Sequence, residues 1–174
     1  MIKEEEGQKL VILARNSINT FLTKQHLEVY EEINSDSVSG IVVKLRKDGE
    51  VIGENEIIES RLPITRLVIE ASRKAILNNE ITDMNRVEIQ ISLLSTPKLI
   101  TKEPSKYSDE LILGEDSVLI KFKTNTGFML ASEATNLNFE EFINNACVKA
   151  GFNKEAWLNP NNKVFIFKEQ KFQS

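Results

Sequence analysis

Gly40-Ile41-Val42-Val43-Lys44-Leu45-Arg46-Lys47-Asp48-Gly49-Glu50-Val51-Ile52 decides the fold. Two apolar, β-branched runs flank Lys47-Asp48-Gly49, and an Asp-Gly pair in that setting is a strong short-range hairpin signal. Gly53-Glu54-Asn55 follows and is expected to end the second strand. Those three residues are the first place to look for a reactive or ligand-binding spot.

Downstream of the hairpin, Ser60-Arg61-Leu62-Pro63 marks a helix start, because proline in a first turn sacrifices no hydrogen bond. Ile64, Leu67, Val68, Ala71 and Ala75 fall at helical spacing, and Asn78-Asn79 closes the helix. Val87, Ile89, Ile91 and Leu93 then alternate with Glu88, Gln90 and Ser92. That is the period of a strand with one face buried and the other facing water or a cleft. Upstream, Leu10, Leu13, Ala14, Ser17, Ile18, Phe21 and Leu22 place a helix over about residues 4–24, with acids at its positive end. Residues 25–39 are polar and read as a connection; His26, the sole histidine, reads as a solvated residue at the helix end.

Beyond Ser95-Thr96-Pro97 the segment to Glu110 reads as loop or lobe boundary. Leu111 to Leu113 and Val118 to Lys123 are strand candidates, the second turning through Thr124-Asn125-Thr126-Gly127 into Phe128-Met129-Leu130. Asn138 with Glu141 three residues later forms a capping box, Phe139, Phe142, Ile143, Ala146, Cys147 and Ala150 form a stripe, and Gly151 suits the left-handed residue after the last turn. Cys147 sits in that stripe, far from a helix N-terminus that would stabilise its thiolate, and reads as core. Val164-Phe165-Ile166-Phe167 is apolar on both faces, as strands covered on both sides are. With strands arriving as hairpins, the class is α+β, a mainly antiparallel sheet with packed helices.

The whole chain of 174 residues fits a single domain, residues 1–174. Its 22 basic and 26 acidic residues leave a net charge of −4, which disfavours nucleic acid as a partner. Lys44, Arg46 and Lys47, like Lys121 and Lys123, read as solvated strand edges. One cysteine excludes a disulfide framework and a cysteine zinc site and favours the cytoplasm. Three acids within Met1-Ile2-Lys3-Glu4-Glu5-Glu6 are unlike a secretory leader, and no apolar run reaches membrane length. No glycine pattern matches a phosphate loop or dinucleotide fingerprint.

Several stretches resemble one family in order and spacing. They are Gly127-Phe128-Met129-Leu130, Phe139-Glu140-Glu141-Phe142-Ile143, Cys147-Val148-Lys149-Ala150-Gly151, Glu155-Ala156-Trp157, the strand from Gly40 to Leu45, and Val87 to Pro97. The family is the AMMECR1-like proteins. The resemblance implies a two-lobed α/β protein in which a large lobe built from both termini meets a smaller central lobe across a cleft. It also brings into register the family's Leu-Arg-Gly-Cys-Ile-Gly signature, which here reads Val51-Ile52-Gly53-Glu54-Asn55-Glu56. Ile52 stands for the arginine and Glu54 for the cysteine. Asn78-Asn79-Glu80-Ile81 replaces the family's Asp-Pro-Arg-Phe segment, and Ala131-Ser132 its Pro-Gln.

A thiolate can attack carbon or bind a soft metal; a carboxylate can instead act as a general base or hold a hard cation. The apolar framework is kept while the polar signature is lost. The expectation is therefore a non-catalytic or degenerate member that binds a protein partner or small ligand in the inter-lobe cleft, with Gly53, Glu54, Asn55, Glu88 and Ser92 as candidate ligand-binding residues. The alternative is an enzyme using Glu54 for acid-base chemistry, with Asn55 and Glu56, or with Glu88 and Ser92. No catalytic residue, cofactor or metal ligand is assigned, and a homodimer is compatible with either reading.

Overall fold

The structure, a computed structural model, describes residues 1–26 and 30–174. The chain divides into two compact units: Met1–Ser95 with Gln170–Ser174, and Thr96–Glu169. Within each unit the neighbouring strands run antiparallel, as the α+β reading expects. Of the polar connection over residues 25–39, residues 27–29 lie outside the described ones, and its last two residues already belong to a strand.

In the first unit, helix α1 (Glu4–Leu22) and helix α2 (Ile64–Leu77) accompany three strands, β1 (Val38–Lys47), β2 (Glu50–Ile57) and β3 (Val87–Ser95), in the order β2-β1-β3. The hairpin turns at Asp48 and Gly49, whose φ values of 51° and 89° are the left-handed pair that a two-residue turn between twisted strands needs. Leu10, Ala14 and Ile18 of α1 and Leu67, Val68 and Ala71 of α2 are buried in one cluster with Ile41, Val43, Leu45, Ile89, Ile91 and Leu93 of the sheet. Both helices therefore lie on the same sheet face, and both apolar stripes are where the helical period puts them.

Two readings need correction here. Gly53-Glu54-Asn55 does not end β2, which runs on to Ile57. Low strand propensity at Glu and Asn is overridden by direct pairing with β1, Lys44 opposite Glu54 and Val42 opposite Glu56. The polar face of β3 is also not its wet side: Glu88 is exposed, but Gln90 and Ser92 are buried.

The second unit holds β4 (Lys98–Leu99), β5 (Asp116–Phe122), β6 (Asn125–Met129), helix α3 (Phe139–Lys149) and β7 (Lys163–Gln173), whose last residues lie in the first unit. Strand order is β4-β7-β5-β6. The capping box forms as read: Asn138 Oδ1 accepts from the Glu141 N–H and Glu141 Oε2 accepts from the Asn138 N–H, each at 2.9 Å. Leu111 to Leu113, read as a strand, is instead a tight turn. Tyr107 O accepts from the Leu111 N–H, and Asp116 closes on Ile112 twice, its N–H donating to Ile112 O and its Oδ2 accepting from the Ile112 N–H. Asp116 is buried, its other oxygen 2.8 Å from Lys168 Nζ.

Candidate functional site

All five candidate residues lie in the first unit, and the sheet sorts them onto two faces. Residues directly opposite in neighbouring strands share a face, and successive residues alternate. Leu45 faces Gly53 and Val43 faces Asn55, so Gly53 and Asn55 point to the helix side with the core. Lys44 lies between Glu54 and Gln90, and Val42 between Glu56 and Ser92. These rows, with Arg46 opposite Glu88, occupy the other face. The Gly53-Glu54-Asn55 triplet is therefore split, and Glu54 shares its face with Glu56, Glu88 and Ser92.

A β-bulge decides which face each takes. The turn pairs Lys47 with Glu50 and Arg46 with Val51, but the register then shifts so that Leu45 faces Gly53. Ile52 is the extra residue. Were it paired with Leu45 instead of bulged, Glu54 would stand opposite Val43 on the apolar face, since a one-residue slip moves every following side chain to the other side.

Each residue has a local physical reason. A Cβ at Gly53 would come within 2.8 Å of Ala75 O and 2.7 Å of Ile81 Cδ1, so glycine lets β2 approach the last turn of α2. Asn55 Oδ1 is buried and has no hydrogen-bond partner among the described residues. Glu54 is open, its side chain 53% exposed, and its Oε2 lies 3.9 Å from Lys44 Nζ, whose side chain is 12% exposed. The row Glu54, Lys44, Gln90 thus passes from a solvated carboxylate to an amide only 7% exposed. An ion pair this open contributes little to stability.

Reading the sequence alone missed Lys44 and Gln90 on the row of Glu54. The signal that could have found Gln90 was the alternation of β3, already legible. The signal for Lys44 was hidden behind the bulge.

Cys147 is the sole thiol and is buried in the second core with Phe142 and Ile143. Burial pushes its pKa up, partly countered by the backbone at Ala156 and Trp157. Because the folded value exceeds the ordinary 9.0, this thiol's contribution to stability is whole below that pH and is lost as pH rises through the folded value. Native protein at pH 8 is expected to leave Cys147 unmodified by iodoacetamide, with one equivalent taken up after unfolding in guanidinium; rapid labelling of the folded protein would contradict the core assignment. Among the described residues no group of three or more His, Cys, Asp or Glu side chains is placed to hold a metal ion, and no helix is long and apolar enough to cross a membrane.

Comparison with known proteins adds the following. A protein of Methanopyrus kandleri is 26% identical over 97% of this chain and 88% of its own length. One from Pyrococcus furiosus is 28% identical over 99% of this chain and 90% of its own. The crystal structure of an uncharacterized protein from Pyrococcus horikoshii shares the fold, with a TM-score of 0.89 and 24% identity, covering 99% of this chain and 93% of that one. A family model described as AMMECR1 matches residues 11–172. With that match running from the second turn of α1 almost to the end of β7, the chain belongs to the AMMECR1 family.

Proposed function

We propose that this chain binds a small ligand or a partner protein without catalysing a reaction, and that Glu54 is part of the contact. The observation that supports this reading is the fate of the cluster at positions 53 to 55: Glu54 is turned to one face and paired with Lys44, while Gly53 and Asn55 are turned to the other. A general base must come within about 2.6 to 3.2 Å of the proton it abstracts, in a site that holds the substrate there, and the residues adjoining Glu54 in sequence face away from it. What Glu54 offers instead is an open carboxylate beside Lys44, on a face it shares with Glu56, Arg46 and Glu88. Such a mixed-charge strip suits recognition of a polar or cationic group by complementarity. The protein partner can be a second copy of the chain, and the setting proposed is the cytoplasm.

A thermal-shift screen of the wild type and Glu54→Ala against divalent cations, nucleotides and common metabolites tests this. A compound present at about 100 times its Kd stabilises by about 2.7 kcal/mol. That corresponds to a rise of about 5 to 10 °C for a chain of this length. The expected result is a rise in the wild type that disappears in Glu54→Ala, with the compound recovered unchanged. A rise that survives in the variant moves the site elsewhere. Product that accumulates with the wild type and not with Glu54→Ala replaces binding by catalysis.

A further inference from the structure

On the helix side of the first unit, a cavity of about 170 Å³ lies between α1, α2 and the segment that follows the undescribed residues. Leu10 and Leu13 of α1 and Ile33 of that segment are buried walls, and the Tyr30 side chain completes the apolar lining. Thr65 of α2 also lines it. That residue is 1% exposed, yet its Oγ1 has no hydrogen-bond partner among the described residues. Its position explains why. Helical threonines usually bond the carbonyl four residues back, but Thr65 is the second residue of α2, and residue 61 lies outside the helix. At the rim Lys9 Nζ and Glu31 Oε2 stand 3.3 Å apart, with both side chains largely in solvent.

We infer that this cavity is a binding site for a small neutral alcohol with an apolar body of single-ring size, its hydroxyl bonded to Thr65 Oγ1. Size sets the body: a dry apolar cavity of about 150 Å³ accepts a benzene-sized guest. Chemistry sets the polar group, because a threonine hydroxyl both donates and accepts, as does the hydroxyl it would meet. Charge sets neutrality. The two ionic groups at the rim neutralise each other and stay in water, so an ionised guest would enter without a buried counter-charge. The site stands apart from Glu54, which faces the opposite side of the sheet, and the inference does not depend on the reading given to that residue.

Phenol and benzene are the probes, followed through the methyl NMR signals of Leu10, Leu13 and Ile33 in the full chain. Phenol is expected to shift these signals and to bind the wild type about five to ten times more tightly than benzene, the range that one net hydrogen bond supplies. In Thr65→Val, which keeps the side-chain shape and removes the hydroxyl, the preference is expected to fall to one or below, because the phenol hydroxyl then finds no partner, while benzene affinity is kept. Ile33→Phe, on a non-helical segment, fills the space and is expected to abolish both. Glu54→Ala is expected to leave both affinities unchanged. Phenol that leaves the methyl signals of these three residues unmoved overturns the inference, since the cavity then holds only water. A phenol preference that persists in Thr65→Val overturns it as well.

Discussion

Gly127→Ala is expected to lower the unfolding free energy by about 3 kcal/mol or more, the upper end of what overpacking a core costs. Gly127 lies within β6 opposite Ile120. A Cβ there would stand 2.3 Å from both Ala146 O and Ala150 N and 2.8 Å from Ala150 Cα. All three atoms are backbone at the end of α3, so no side-chain rotation relieves the clash. The helix must lift from the strand, and with it the packing of Phe142, Ile143, Ala146 and Cys147, all fully buried. A fall in Tm of about 6 to 12 °C by calorimetry is the expected reading for a chain of this length. A fall below about 2 °C would mean that the end of α3 stands off from β6 and leaves room for a methyl group.

Leu67→Ala ranks second, with an expected loss of about 2 to 5 kcal/mol in denaturant unfolding. Leu67 is fully buried, in the first turns of α2, within the cluster that joins both helices to the sheet. The substitution removes three carbons and leaves a void that the facing strand residues, pinned by the ladder, fill only in part. A loss below about 0.5 kcal/mol would place the α2 stripe on the wrong side.

These two sites also mark how far the sequence could be read. Leu67 follows from helical spacing alone, because the period of α2 and the apolar face of the sheet agree. The Asp48-Gly49 turn and the Asn138–Glu141 box follow just as directly, since each is local chemistry with one preferred geometry. Gly127 was legible only as a glycine near a turn. Its reason is a helix about twenty residues away, and the turn itself falls at Lys123 and Thr124. Leu111 to Leu113 resembles a strand because Leu111 and Leu113 pack against the second core from a turn held by Asp116, while Ile112 is exposed.

At the candidate site the strands were legible and the grouping was not. Glu54 and Asn55 were read together as neighbours in sequence, although the strand period alone would have set them on opposite faces. Which face each took depended on a bulge at Ile52 that no local signal announces. Burial of Gln90 and Ser92 was likewise invisible, because alternation gives the faces of a strand and not what becomes of them.

The final five residues carry a consequence for how the protein is made. Gln170 bonds the Ile2 backbone through both its amide oxygen and its amide nitrogen, Ser174 bonds Ile89 through its N–H and its hydroxyl, and Phe172 packs where Gly7 has no side chain. All of these belong to the first unit, yet the ribosome delivers them only after the whole of the second. At about 5 to 20 residues per second, α1 and the first hairpin wait several seconds for the strand that completes them. During that interval the face of α1 at Gly7 remains without Phe172, while the second unit, Thr96–Glu169, is one unbroken stretch and can fold without waiting. The nascent chain is therefore most exposed to aggregation and to proteases at its older end.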